Sequence, residues 1–205
     1  MRRMTSSVAP LAPPPLVLAS TSPYRRMLLD RLGVPFTAAA PDCDEDAYKA
    51  SATSPRGLAE TLALAKAESL RATHPDALIL GGDQVATLDD DILGKPGTRD
   101  AAIAQLERLA GRTHLLITAV ALLHHHGRLV QHTDVARLTL RPLTRAQIER
   151  YVDADTPLDC AGSYKLEARG IALFASIDTA DTTAITGLPL LWLTGALAGL
   201  GFEIP

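Results

Sequence analysis

Arg25 and Arg26 follow Ser20-Thr21-Ser22-Pro23-Tyr24 immediately after the apolar run Leu16 to Ala19, a junction crowded with hydroxyls and positive charge. Ser22 is a good N-cap and Pro23 suits the first helical position, so both arginines fall in a first turn where the helix dipole is already positive. That placement is unfavourable for an arginine on its own. A bound polyanion reverses the sign, because free backbone N–H groups, hydroxyls and guanidinium forks then converge on it. The other reading sends both side chains into solvent, and this stretch alone does not choose between them.

Lys66 stands where a core residue is expected, since Leu58, Leu62, Lys66 and Leu70 recur at intervals of four and share one helical face. Its ammonium either snorkels at the edge of that face or reaches into a cleft against phosphate or carboxylate. Asp83 directly follows Leu78-Ile79-Leu80-Gly81-Gly82, a short buried strand. The C-terminal ends of strands in α/β sheets are where ligand groups collect, with a turn or capping role as the alternative. Gly94-Lys95-Pro96 adds a lysine but no Walker loop, because position 89 is aspartate where glycine is needed and Pro96 follows the lysine.

In the stretch from Asp159 to Glu167, alternation on an extended chain puts Lys165 and Glu167 on one side, as an exposed ion pair or facing a ligand. Asp42, Asp44, Glu45 and Asp46 form an acidic loop that either stays solvated or, with Asp83, holds a hard divalent cation. His124-His125-His126 has the look of a chelator. Neighbours on a strand point to opposite faces, however, so the expectation is a solvated hairpin tip.

The elements that position these residues alternate along the chain. Leu16 to Ala19 reads as a strand, Pro23 to Arg31 as a helix closed by Gly33, and Pro35 to Ala40 as a strand entering the acidic loop. A helix opens at Ser54-Pro55 and runs to about Ala72. Leu78 to Gly82 is a buried strand, and Val85 to Leu88 and Ile92-Leu93 are hairpin arms. Thr98 caps a helix reaching Ala110. Leu115 to Leu123 and Leu129 to Leu140 are long antiparallel strands, and Thr144-Arg145-Ala146-Gln147 is a capping box opening a helix through Val152. A strand from Ile171 to Phe174 and a helix from about Leu188 to Ala198 complete the pattern. Strands, helices and hairpins interleave in this way in an α/β fold with a mixed sheet.

The chain has 205 residues, 47% hydrophobic and 21% charged, enough for one sizeable domain from 16 to 205 behind a loose, proline-rich tail at 1–15. A net charge of −3 gives no electrostatic footprint for nucleic acid. No apolar run is long enough for a membrane span. Cys43 and Cys160 lack metal-type or redox-motif spacing, which fits free thiols in a reducing cytoplasm.

Taken together, Ala-Ser-x-Ser-Pro-x-Arg-Arg at the first junction, Asp44-Glu45, Ala65-Lys66-Ala67, Gly82-Asp83-Gln84-Val85, Gly94-Lys95-Pro96, Gly162-Ser163-Tyr164-Lys165 and Gly187-Leu188-Pro189 resemble the Maf family of nucleoside triphosphate pyrophosphatases. Order and spacing match from Leu16 to the C-terminal helix. The variants Asp-Gln-Val and Cys-Ala-Gly-Ser-Tyr-Lys-x-Glu are similar to the branch specific for 7-methyl-GTP, which is cleaved to 7-methyl-GMP and diphosphate. A dTTP/UTP pyrophosphatase is the alternative within the family, and a non-catalytic nucleotide-binding protein of cell division the alternative outside it.

The resemblance implies an inosine triphosphate pyrophosphatase-like α/β fold with a mixed central sheet, flanking helices and two lobes around a nucleotide cleft. It further implies a divalent cation, Mg²⁺ or Mn²⁺, and commonly a homodimer. Ser20, Arg25, Arg26, Lys66, Lys95 and Lys165 would bind the triphosphate. Asp83 matches the family's proton acceptor, and Glu45 with Asp83 the metal position. Tyr24, Gln84 and Glu167 would set specificity. Tyr24 departs from the tryptophan common in that branch, but a smaller aromatic still stacks.

Overall fold

A computed structural model describes residues 12–89 and 91–204. The proline-rich tail at 1–15 falls mostly outside the described residues. The elements are β1 (Leu16–Ala19), α1 (Pro23–Asp30), β2 (Phe36–Ala39), α2 (Glu45–Ser51), α3 (Pro55–Ser69), β3 (Leu78–Leu88), β4 (Asp91–Leu93), α4 (Arg99–Leu109), β5 (Thr113–Leu123), β6 (Leu129–Leu140) and α5 (Arg145–Asp155). A 3₁₀ helix (Arg169–Leu173), β7 (Phe174–Asp178), α6 (Thr182–Thr186) and α7 (Leu190–Ala198) follow.

The strands form one mixed sheet in the order β2-β1-β3-β5-β6-β7, with β4 attached to β3. β1 is parallel to β2 and β3, whereas β3, β5, β6 and β7 are antiparallel neighbours. β3 changes partner midway. Its first half, Leu78 to Gly81, pairs with β1, and its last three residues, Ala86 to Leu88, pair with β4. Between them, Gly82 to Val85 have β5 on one edge and neither β1 nor β4 on the other. The sheet splits along that edge, and the split is where a ligand can enter.

Two main cores lie beyond the split. One joins β1, α1 and α7 through Leu18, Leu28, Leu29 and Leu193, and the other joins α4, α5 and β6 through Ile103, Leu106, Leu138 and Ile148. α3 lies across β3 and β5. The run Leu115 to Leu123 is therefore almost continuously apolar, because that strand is buried on both faces, while β6 alternates and leaves one face wetter. This is the mixed α/β architecture expected from the sequence.

Several boundaries differ from expectation, each for a local reason. The acidic stretch is loop only as far as Asp44, whose carboxylate accepts the N–H groups of Asp46 and Ala47 and starts α2 at Glu45. Val85 to Leu88 continue β3 without a break, because β5 pairs with it continuously from Ile79 to Thr87. Ile171 to Leu173 are 3₁₀, and the strand begins only at Phe174. Leu166 to Ala168 form a turn, so the extended alternation expected for Lys165 and Glu167 does not hold. The short α6, capped by Asp181, carries no apolar period long enough to read from sequence. The capping box at Thr144 and Gln147 is formed as expected. Among the described residues no helix is long and apolar enough to cross a membrane.

Candidate active site

The split in the sheet opens a cleft of about 750 Å³. Its floor is set by a close approach of helix to strand. Gly81 packs under Ala63 and Ala67 of α3, so tightly that a side chain there would collide with the Ala63 carbonyl. Only glycine permits that distance. It brings Lys66 over β3, and the polar residue on the apolar face of α3 turns out to face the cleft instead of snorkelling to its edge. Lys66 Nζ lies 2.6 Å from Asp83 Oδ1 and 2.8 Å from Glu45 Oε1. Lys66 and Asp83 are 6% and 7% exposed, respectively. Two ionised groups this well buried persist only when paired.

Glu45 reaches the pair from the first turn of α2. Partial burial works against its ionisation, but the hydrogen bond and charge of Lys66, with Lys49 and Lys95, outweigh it and hold the carboxyl below its ordinary value.

Arg25 covers the same cluster from α1. Ser22 caps that helix by accepting the Arg25 N–H, with Pro23 next, as expected. The Arg25 side chain then donates from Nε to the Gly187 carbonyl at 3.2 Å and from Nη1 to Ser20 Oγ at 3.4 Å. It crosses two glycines: a Cβ on Gly82 would lie 3.5 Å from Nε, and one on Gly187 would lie 3.3 Å from Cγ. Gly187 also has φ +126°, a conformation that side chains disfavour. Burial pulls the guanidinium below its ordinary pKa, opposed by the carboxylates of Asp83 and Glu45.

Lys95 also lines the cleft, from the segment after β4. Arg26, by contrast, is exposed and does not line the cleft. Lys165 also lies off the lining; its Nζ reaches Asp159 Oδ1 at 3.5 Å and the Thr156 carbonyl at 3.4 Å.

The far end of the cleft is built differently. Tyr24, Asp159, Cys160, Ala161, Leu166 and Glu167 line it. Burial raises the Tyr24 phenol, with Cys160 adding to the rise and Lys165 opposing it. Burial, followed by Asp159, pushes the Cys160 thiol up to about 12, which removes it as a thiolate nucleophile at neutral pH. Glu167 is exposed on its turn. The chain leading there is fixed from below: Tyr151 Oη accepts the Lys165 N–H at 2.8 Å, and Tyr164 Oη meets His114 Nε2 at 2.9 Å.

Gln84 lines the cleft, yet its amide nitrogen is already engaged by Thr118 Oγ1 at 2.9 Å and by the Ala184 and Ile185 carbonyls, both at 3.0 Å. It ties α6 to the sheet and leaves only its carbonyl oxygen for a ligand. Lys49, Asp159 and Cys160 line the cleft without having been singled out in sequence. Lys49 had a readable signal, standing one turn beyond Glu45, but that signal exists only once α2 is recognised as a helix.

The Maf family profile, described as Maf-like protein, matches residues 15–200. This chain belongs to the Maf family. A protein named 7-methyl-GTP pyrophosphatase from Bdellovibrio bacteriovorus is 48% identical over 178 residues, covering 87% of this chain and 93% of that protein. One of the same name from Pseudomonas aeruginosa is 46% identical over 193 residues, covering 94% and 100%. A crystal structure of a nucleoside-triphosphatase, a dITP/XTP pyrophosphatase from Mycobacterium abscessus, aligns with a TM-score of 0.46 at 16% identity, over 90% of this chain and 93% of that one. In this Maf chain the matched region spans every element from β1 to α7 and hence both ends of the cleft.

Proposed function

We propose that this Maf protein hydrolyses 7-methyl-GTP between the α and β phosphates, giving 7-methyl-GMP and diphosphate. The observation that carries the reading is the buried Asp83–Lys66–Glu45 cluster under Arg25, at one end of a cleft whose other end holds Tyr24 and Glu167. The names of the relatives, similar over nearly the whole chain, support the same substrate.

The cationic end takes the triphosphate. Arg25, Ser20, Lys66 and Lys95 offset the charge that grows on the departing diphosphate, the largest electrostatic demand of the reaction. Asp83 orients the attacking water and accepts its proton. The water oxygen joins one product as the anhydride bond breaks, and the bond electrons leave with the other phosphate oxygen.

A divalent cation, Mg²⁺ or Mn²⁺, fits the donor set. Two carboxylates already converge on one ammonium, and hard cations prefer such oxygens together with substrate phosphates. Glu45 and Asp83 would hold it, and the chemistry it supplies is Lewis-acid neutralisation of phosphate charge.

At the other end, methylation at N7 makes the purine cationic, so stacking on Tyr24 gains about 0.5–2 kcal/mol over ordinary guanine. The Glu167 carboxylate accepts from the N1–H and exocyclic amine of guanine, a donor pair that uracil and thymine lack. Its exposed position on a turn leaves both oxygens free for that contact.

A homodimer and a cytoplasmic site accompany this reading, the first tested by sedimentation and the second by fractionation.

The decisive assay supplies 7-methyl-GTP, GTP, dTTP and UTP with Mg²⁺ or Mn²⁺ and identifies the products by ³¹P NMR. Monophosphate plus diphosphate, fastest from 7-methyl-GTP, is the expected result. A nucleoside diphosphate product overturns the bond assignment, and equal or faster turnover of dTTP or UTP overturns the substrate.

A further inference from the structure

The three consecutive histidines at the β5–β6 connection do not splay apart as a strand would make them. His124 to His126 lie in the turn after β5, where the two-residue alternation of a strand no longer applies. One ring nitrogen from each lies within 4.8 Å of the others. The rings crowd together, with centroids 4.1 Å apart for His124 and His125, 3.7 Å for His125 and His126, and 5.2 Å for His124 and His126. His124 and His125 are partly buried.

Two further features show that the cluster is oriented. The His126 backbone N–H donates to His124 Nδ1 at 3.4 Å, a long bond that orients the ring and is given up when the ring proton moves to Nδ1 and Nε2 becomes the ligand atom. His125 Nδ1 is shielded from water and has no hydrogen-bond partner. A buried ring nitrogen without a partner is costly, and a ligand that engages the ring as a donor repays that cost. The turn itself is held by the Gly127 N–H donating to the His124 carbonyl at 2.8 Å, with Gly127 at φ +79°. Arg71 approaches Gly127, but its charge is balanced by Glu68 at 2.8 Å.

We infer that His124, His125 and His126 form a binding site for a late first-row divalent cation, with Zn²⁺ as the type ion, distinct from the cation site of the cleft. Imidazole nitrogens suit Zn²⁺, Ni²⁺ and Cu²⁺, whereas Mg²⁺ prefers carboxylate and phosphate oxygens. Zn–N bonds of about 2.0–2.1 Å place tetrahedral ligands roughly 3.4 Å apart. The ring nitrogens, all within 4.8 Å of one another, converge on that spacing as the stacked rings fan apart around the ion. Water completes the coordination.

The site is remote from the cleft. Ala119 pairs with Asp83, and His124 follows five residues later, on the order of 16 Å along the strand. A cation there pins the end of the longest hairpin and takes no part in phosphate chemistry.

The test uses the full, untagged chain, stripped of metal and dialysed against Zn²⁺ in the presence of excess Mg²⁺. The wild-type protein is expected to bind one more Zn²⁺ per chain than the triple variant H124Q/H125Q/H126Q. His125→Gln alone is expected to weaken binding at least tenfold. Equal Zn²⁺ stoichiometry and affinity in wild type and triple variant overturns the proposal, as does failure of the wild type to retain Zn²⁺ against Mg²⁺. A second readout needs no variant: Ni²⁺ added to the wild-type chain should broaden the amide NMR signals of 124–128 first. Broadening that begins around Asp83 instead contradicts the site.

Discussion

The two ends of the cleft are made from different materials. The end assigned to the phosphates rests on the sheet and on α3: Ser20 at the exit of β1, Asp83 within β3, and Lys66 held down by a glycine contact, each buried and each with a protein partner. The end assigned to the base is made of turns, with Glu167 exposed and Tyr24 only partly covered. Reaction chemistry needs fixed geometry, and the sheet supplies it; choice of base needs a surface that can change without disturbing that geometry, and turns supply it.

The largest effect that would sharpen this contrast comes from Asp83→Asn. It changes charge with almost no change in shape, so folding and nucleotide binding should survive while turnover falls about a hundredfold or more. Steady-state kinetics beside a binding titration checks it, and near-normal turnover would shift the role to Glu45.

Lys66→Met removes the ammonium between two carboxylates. Urea unfolding should show a loss of about 3 kcal/mol, whereas Lys165→Met, which breaks an ion pair with the exposed Asp159, should cost less than about 1 kcal/mol. Equal losses would contradict the difference in rigidity between the two ends.

His114 lies beneath the turn-built end, and burial lowers its pKa from 6.5 to about 4. The unfolded chain binds this proton below about pH 6.5 and the folded chain does not, so stability is full above 6.5 and falls as pH drops toward 4, by roughly 3 kcal/mol. His114→Gln should flatten that part of the pH profile, measured by denaturant midpoints at several pH values. An unchanged slope would show that other groups set it.

A smaller effect is expected from Tyr24→Leu. It should cost 7-methyl-GTP more than GTP in kcat/KM, by about 0.5–2 kcal/mol, because only the methylated base carries the charge that the aromatic ring attracts.

Much of this was legible from sequence, and the failures have physical causes. Lys66 and Asp83 declared themselves because a lysine on an apolar helical face and an acid after a buried strand both violate local pattern. Ser22-Pro23 fixed the start of α1 by side-chain chemistry alone. Pattern could not show that Arg25 turns into the cleft while Arg26 remains exposed, since neighbours on a helix point about 100° apart and only docking decides which of them faces the cleft. The triple histidine sits at the hairpin tip expected of it, but strand alternation stops before the turn, so sequence did not show that the three rings crowd together. Gln84 lines the cleft, but sequence shows only a polar side chain and not that Thr118, Ala184 and Ile185 engage its amide nitrogen.

The division between a sheet-built reacting end and a turn-built selecting end is tested most directly by the ratio of kcat/KM for 7-methyl-GTP over UTP, which lacks the guanine donor pair, in three proteins. In Asp83→Asn both values should fall together and leave the wild-type ratio intact. In Glu167→Gln the ratio should shrink several-fold, about 1 kcal/mol for a weakened hydrogen bond to the guanine edge, with the products unchanged. A ratio that collapses in Asp83→Asn, or that keeps its wild-type value in Glu167→Gln, would contradict the division.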